Sequence, residues 1–149
     1  MISRATSRRA SNSGNAALAL ARALVPNEQA AGLVLKPVGT GRVNVHAAGN
    51  GVVRVDARRV ALLNAANPAI TLATVPEWQR VAAGEMVATV KIITYGVPRA
   101  AVDAACSAGA EAIALCRPMI GSAVLIQTTV GEAANEAKLI DKGRRVIAD

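Results

Sequence analysis

The chain has 149 residues, of which 52% are hydrophobic, and it carries a formal net charge of +7 from 17 basic and 10 acidic side chains. This length suits one domain, or slightly more than one, and allows a sizeable core. With one Trp, one Tyr and no Phe, the core must be built mainly from aliphatic side chains. The aromatic platforms of a single-strand nucleic-acid binder are almost absent.

The excess of positive charge lies mostly near the start of the chain. Residues 1–27 contain no acidic side chain and four arginines, Arg4, Arg8, Arg9 and Arg22, which leaves 13 basic and 10 acidic side chains for the remainder. We therefore do not expect a nucleic-acid partner. Residues 1–15 are predicted to be a disordered basic tail, with an organelle transit peptide as the alternative.

No run approaches the roughly 20 apolar residues of a membrane helix, so we expect a cytoplasmic protein without membrane contact. Cys106 and Cys116 form no CxxC pair and His46 is the single histidine, so no zinc set can be assembled. Two buried, reduced thiols are predicted rather than a disulfide. No Ser-His-Asp set, carboxylate pair or activated cysteine emerges from the spacing. We predict no catalytic or metal residues and leave enzymatic activity open.

The first half of the chain predicts a helix followed by three strands. AALALARAL (16–24) contains strong helix formers and ends before Pro26. LVLKPV (33–38) is predicted to be a strand. The stretch GRVNVHAAGNGVVRVD (41–56) then predicts a hairpin, because two alternating strands flank a Gly-Asn-Gly turn.

The second half predicts an alternation of helices and strands. Asp56 is placed to cap a helix over DARRVALLNAA, and Pro98 is placed to start a second helix. The remaining predicted elements are strands at 69–75, 86–94, 112–116 and 122–129 and a helix within 132–149. The fold class that follows is mixed α/β, a mixed sheet with flanking short helices, with α+β as the alternative.

Lys91 lies inside the otherwise apolar strand MVATVKIIT (86–94). Because side chains alternate along a strand, Val87, Thr89, Lys91 and Ile93 should share one face, and Met86, Ala88, Val90 and Ile92 the other. The second face is wholly apolar. Lys91 therefore either lines a pocket that needs a positive charge or snorkels at a sheet margin.

Three segments together resemble one family: TGRVNVHAAGNGVVRVDARRVALLNAANPAITLAT (40–74), RVAAGEMVATVKIITYGVP (80–98) and AVLIQTTVGEAANEAKLIDKGRRV (123–146). They are similar to molybdopterin-binding proteins related to the molybdopterin molybdotransferases. The resemblance covers about residues 38–148. It implies a leading mixed α/β domain over 16–120 and the start of a truncated molybdopterin-binding α/β domain over 121–149.

The resemblance implies molybdopterin as the cofactor and suggests which residues would contact it. The candidates are Lys91, Arg42, Asn44, Thr71, Thr74, Asp141 and Lys142. Each has an ordinary structural alternative, such as a turn residue, a β-propensity choice or an exposed charge pair. The Gly- and Thr-rich loops with which that domain type holds the pterin phosphate do not appear in these 149 residues, so we expect weak binding or none by this chain alone.

These observations predict a protein of molybdenum cofactor biosynthesis or molybdopterin binding, acting as a partial or supporting module. The alternatives are a non-catalytic protein-interaction module and an inactive gene fragment. The expected partners are a molybdopterin-binding domain or a second copy of the chain. Self-association is expected because SAVLIQTT (122–129) reads as a strand with an open apolar edge.

Overall fold

The computed structural model describes residues 10–122, 124–126, 128 and 136–148. The chain divides into two compact units, Met1–Arg117 and Pro118–Asp149. In the first unit, the described elements are β1 (Ala10–Asn12), α1 (Ser13–Leu24), α2 (Glu28–Ala31), β2 (Leu33–Pro37), β3 (Arg42–Ala47), β4 (Gly51–Val55), α3 (Ala57–Ala65), β5 (Ile70–Thr74), β6 (Arg80–Val81), β7 (Met86–Ile92), β8 (Gly96–Pro98), α4 (Arg99–Ala108) and β9 (Ile113–Cys116). The second unit contains α5 (Glu136–Ala148). The predicted mixed α/β class is confirmed.

Helix α1 begins earlier than the sequence predicts. Asn12 is its N-cap, and the Asn12 side chain accepts a hydrogen bond from the Asn15 backbone N–H at 2.8 Å, which satisfies one of the free donors of the first turn. Ala10–Asn12 pair as β1 with Gly96–Pro98 of β8. Residues 10–15, which were predicted to belong to the disordered tail, are therefore ordered in β1 and α1. Residues 1–9 lie outside the described residues.

The largest sheet has the strand order β2-β3-β7-β5, and all three of its pairings are antiparallel. One face of this sheet, which we call the inner face, is apolar and buried. It includes Val43, Val45, Leu72, Val90 and Ile92. Helix α1 lies against β3 and β7 and buries Ala16, Ala17, Leu20, Ala21 and Leu24. This contact forms the centre of the core.

Side chains satisfy backbone groups at both edges of this sheet. On β2, the backbone N–H of Leu35 donates to the Glu28 carboxylate at 2.8 Å. On β5, the Asn64 side chain accepts from the backbone N–H of Leu72 at 2.7 Å and donates to the Leu72 carbonyl at 3.0 Å. Since unpaired edge groups attract other strands, these contacts limit edge-to-edge pairing.

The predicted hairpin between β3 and β4 is wrong. β3 pairs with β2 and β7, whereas β4 lies between β6 and β9 in a separate three-stranded sheet. The segment between β3 and β4 is bonded elsewhere: the Ala48 N–H donates to the Gly32 carbonyl at 2.8 Å, and the Asn50 side chain accepts from the Ala83 N–H at 3.0 Å. A Cβ at Gly51 would lie 2.5 Å from the Cys116 carbonyl oxygen, so this glycine permits a close approach to β9.

The predicted faces of β7 are correct from Ala88 onward and wrong before it. Ala88, Val90 and Ile92 are buried, while Lys91 is exposed. The pairing of β3 with β7 shifts between Val45 and His46, so that one residue of β7 is left over. Such a β-bulge reverses the alternation on one side of it. As a result Met86 is exposed and Val87 is buried.

The other predicted elements of the first unit form close to their predicted bounds. Asp56 caps α3 by accepting from the Arg59 backbone N–H at 3.0 Å, as predicted. Pro98 is the N-cap of α4 and not its first helical residue. Strands β5 and β9 lie within the predicted ranges 69–75 and 112–116.

The second unit differs from the prediction in its strand. The described residues of the segment 122–129, which are 122, 124–126 and 128, adopt no strand conformation, and residues 123, 127 and 129 lie outside the described set. Val124 and Ile126 are 88% and 82% exposed. An apolar run alone does not specify a strand, because a strand also requires a pairing partner. Among the helices of the described residues, none is long and apolar enough to cross a membrane.

Candidate functional site

The face of the four-stranded sheet opposite the inner face is polar and positively charged. We call it the outer face, and it is formed by Val34 and Lys36 on β2, Arg42, Asn44 and His46 on β3, Met86, Thr89 and Lys91 on β7, and Thr71 and Ala73 on β5. These four strands contain no acidic residue. The same alternation that makes the inner face apolar therefore collects three cations on the other side.

Arg42, Lys91 and Thr71 stand in one row across the sheet. Lys91 is the direct partner of Arg42 on one side and of Thr71 on the other. Directly opposed residues have Cβ atoms about 4.5–5.5 Å apart, and like charges in such a pair destabilise the sheet. Arg42 and Lys91 are both exposed. Within the described part of the chain, the ion pairs found involve Arg59, Arg99 and Arg145 and do not include Arg42 or Lys91.

A second row lies beside the first and supplies uncharged hydrogen-bonding groups. It contains Lys36, Asn44, Thr89 and Ala73 in register. The Thr89 hydroxyl donates to the Asn44 side-chain oxygen at 2.9 Å. Since an amide has two N–H donors besides its oxygen, this bond orients Asn44 and leaves its NH₂ group available to a ligand.

His46 lies at the far end of the outer face from Arg42. Its Nδ1 is 2.9 Å from the Gly84 carbonyl oxygen. A carbonyl only accepts, so Nδ1 is the donor in this hydrogen bond. In the part of the chain that the structure describes, no group of three or more His, Cys, Asp or Glu side chains is positioned to hold a metal ion.

A shallow notch of about 180 Å³ opens between β5 and β7 at the side of the second row. Its lining is Ala73, Thr74, Val75, Met86, Val87, Ala88 and Thr89. Ala73 and Met86 are not among the site residues that the sequence predicts. The small size of Ala73 is visible in the sequence, but the exposure of Met86 depends on the β-bulge, which the alternating pattern does not reveal.

The structure brings together four of the seven predicted site residues: Lys91, Arg42, Asn44 and Thr71 all lie on the outer face. Thr74 has the opposite parity on β5 and lines a groove against α3 together with Val60 and Asn64. Asp141 and Lys142 belong to α5 in the second unit, where Asp141 accepts a hydrogen bond from Arg145 at 2.8 Å.

The two cysteines differ in environment, and both are free thiols. Cys106 on α4 is partly buried, and burial raises the pKa of its thiol, with a further increase from the negative charge of Asp103. Cys116 is exposed on β9, so the prediction of two buried thiols is wrong for Cys116.

No family model, curated protein or solved structure matches the chain. The chemistry of the outer face therefore follows from its own groups. Two adjacent cations and an oriented amide can bind an anion with planar or tetrahedral oxygens.

Proposed function

We propose that the chain is a supporting module of molybdenum cofactor metabolism whose outer face binds the phosphate of molybdopterin. The observation on which this proposal rests is the direct cross-strand pairing of Arg42 with Lys91, without an ion pair to either among the described residues. Opposed like charges cost stability, and a bound phosphate would remove that cost. The choice of molybdopterin as the phosphate ester comes from the resemblance of residues 38–148 to molybdopterin-binding proteins.

The affinity of this face by itself should be low. Arg42 and Lys91 are solvent-exposed, and single exposed charge pairs contribute only about 0–1 kcal/mol each. Small-molecule pockets of full size measure about 300–1,000 Å³, whereas the notch beside the two cations is about 180 Å³. The role that fits is a supporting one, in which another domain supplies most of the contacts.

The outer face supplies binding groups and no reaction chemistry that we can assign. Arg42 would donate two parallel hydrogen bonds to phosphate oxygens, and Lys91 would add a point charge. Thr71 lies beside Lys91, where its hydroxyl can donate to a third oxygen. No residue of this face is assigned to proton transfer or nucleophilic attack.

The test is a titration of the pure full-length chain with molybdopterin under anaerobic conditions, beside the same pterin without its phosphate. We expect a dissociation constant well above micromolar for the phosphorylated form and no saturation with the dephosphorylated form. The affinity should fall with salt, because the Debye length shrinks from about 30 Å at 0.01 M to about 3 Å at 1 M.

The variants are Lys91→Gln and, as a matched control, Arg58→Gln, which removes an exposed cation from α3. Lys91→Gln should weaken binding several-fold and Arg58→Gln should not. A submicromolar dissociation constant would contradict the supporting role, and equal effects of the two variants would contradict the site.

A further inference from the structure

The notch beside the cationic row has a size and lining that suit one flat ring. It is lined mainly by apolar groups, among them those of Ala73, Val75 and Met86, and Thr89 also lines it. The notch exists for two local reasons. Ala73, the partner of Thr89 across the sheet, has only a methyl group, and the β-bulge turns Met86 outward.

The lining chemistry favours an aromatic system with polar edges. Methionine sulfur makes favourable contacts with aromatic rings, and Met86 is 50% exposed and therefore accessible. Asn44 is the cross-strand neighbour of Thr89 and is held by the Thr89 hydroxyl at 2.9 Å, so its NH₂ group can donate to a ring that extends past Thr89. A purely apolar occupant would leave these donors unused, whereas a nitrogen- and oxygen-bearing ring would accept from them.

The separation between the notch and the cations matches a ligand with a ring and a phosphate joined by a short chain. Thr89 and Lys91 are two residues apart on β7, which corresponds to about 7 Å along a strand. A ring held at Thr89 would therefore place a phosphate on its side chain within reach of Lys91 and Arg42. The three cations of the outer face supply the matching charge.

We infer that this notch is the ring subsite of the outer face, and that it takes the flat, nitrogen-rich ring of the phosphorylated ligand whose phosphate lies at Arg42 and Lys91. This inference rests on the proposed function, because it uses the same two cations. It adds an orientation: the ring lies toward Ala73 and Met86, and the phosphate lies toward Thr71.

The experiment fills the notch without touching the cations. Ala73→Leu places a larger side chain at an exposed outer position, and Ala104→Leu on the exposed side of α4 is the matched control. Each full-length variant is titrated with a fluorescent oxidised pterin that carries a phosphate monoester, and separately with inorganic phosphate. Met86→Ala is the second variant, since it enlarges the notch and does not fill it.

Ala73→Leu should weaken binding of the pterin phosphate about tenfold, equivalent to about 1.4 kcal/mol, and leave inorganic phosphate unchanged. Met86→Ala should weaken the same ligand selectively, and Ala104→Leu should have no effect. If Lys91→Gln weakens both ligands while Ala73→Leu and Met86→Ala affect neither, the ring subsite is wrong and the proposed phosphate site stands. If Lys91→Gln also has no effect, the proposed function fails with it.

Discussion

The inner and outer faces of the four-stranded sheet are built from the same strands but have opposite chemistry. The inner face presents Val43, Val45 and Val90 to helix α1, and the outer face presents Arg42 and Lys91 to solvent. Because successive residues of a strand point to opposite sides, stability and binding reside in alternate positions of one segment. Substitutions of neighbouring residues should therefore separate the two properties.

The largest effect should come from the helix that covers the inner face. Leu20 on α1 is fully buried, so Leu20→Ala should reduce the free energy of unfolding by about 2–5 kcal/mol, the range for a buried leucine that leaves a cavity. Leu18→Ala, on the same helix but only partly buried, should cost clearly less. Urea unfolding of both variants measures the difference, and equal losses would mean that α1 does not cover this face.

Adjacent residues of β7 should respond in opposite ways. Val90→Ala truncates a fully buried side chain and should cost about 1–3 kcal/mol. Lys91→Met keeps the aliphatic stem and removes a charge opposite Arg42, so the stability should be unchanged or slightly higher. Urea denaturation midpoints compare the two. A large loss for Lys91→Met together with no loss for Val90→Ala would reverse the assignment of the faces.

The segment before α5 gives a third comparison, because its apolar residues are uncovered while those of the inner face are covered. Met119, Ile120, Val124 and Ile126 are each more than 80% exposed. Exposed apolar patches favour association, so the average mass in sedimentation should rise over a hundredfold range of concentration. Ile126→Lys should reduce this rise, and Arg58→Gln is the control. A monomer at every concentration contradicts the prediction.

The smallest effect concerns the two thiols. Burial and Asp103 raise the pKa of Cys106, so its reactive thiolate fraction is lower than in the unfolded chain, and Cys116, which is exposed, should be alkylated first. The stability that follows from the raised pKa is fully present below the unfolded value and is lost as the pH rises through the folded value. Mass spectrometry after brief alkylation, with Cys116→Ser as the reference, tests the order. Faster labelling of Cys106 would contradict it.

Local signals predicted the elements well and their arrangement less well. The Asp56-capped helix α3, the greater part of α1 and the apolar strands β5, β7 and β9 follow from propensity and periodicity, whereas the Asn12 cap of α1 and the short helix α2 were not predicted. The hairpin prediction failed because the Gly-Asn-Gly turn indicates a reversal, whereas β3 pairs with the preceding strand β2 and with the distant β7, and β4 pairs with the distant strands β6 and β9. The strand predicted at 122–129 failed because apolar content does not supply a pairing partner.

In the candidate site, too, the individual residues could be predicted but their arrangement could not. Lys91, Arg42, Asn44 and Thr71 could be selected individually from the sequence, but their alignment in adjacent rows depends on the register of three strands. The side chain of Thr74 points to the other side of the sheet from Thr71, because the two residues are an odd number of positions apart on β5. Met86 could not be assigned to the outer face from the sequence, because a one-residue bulge reverses the alternation and the amino-acid sequence does not show where the bulge lies.

The central claim is that a phosphate ester binds the outer face at Arg42 and Lys91, and threonine methyl groups test it directly. Thr71 and Thr89 lie on the outer face, and Thr74 has the opposite parity on β5. In the methyl NMR spectrum of the threonine-labelled chain, titration with the pterin phosphate should shift Thr71 and Thr89, and also Thr74, which lines the notch. Inorganic phosphate should shift Thr71, the neighbour of Lys91, and leave Thr74 in place. Shifts at Thr74 with none at Thr71 would contradict the account.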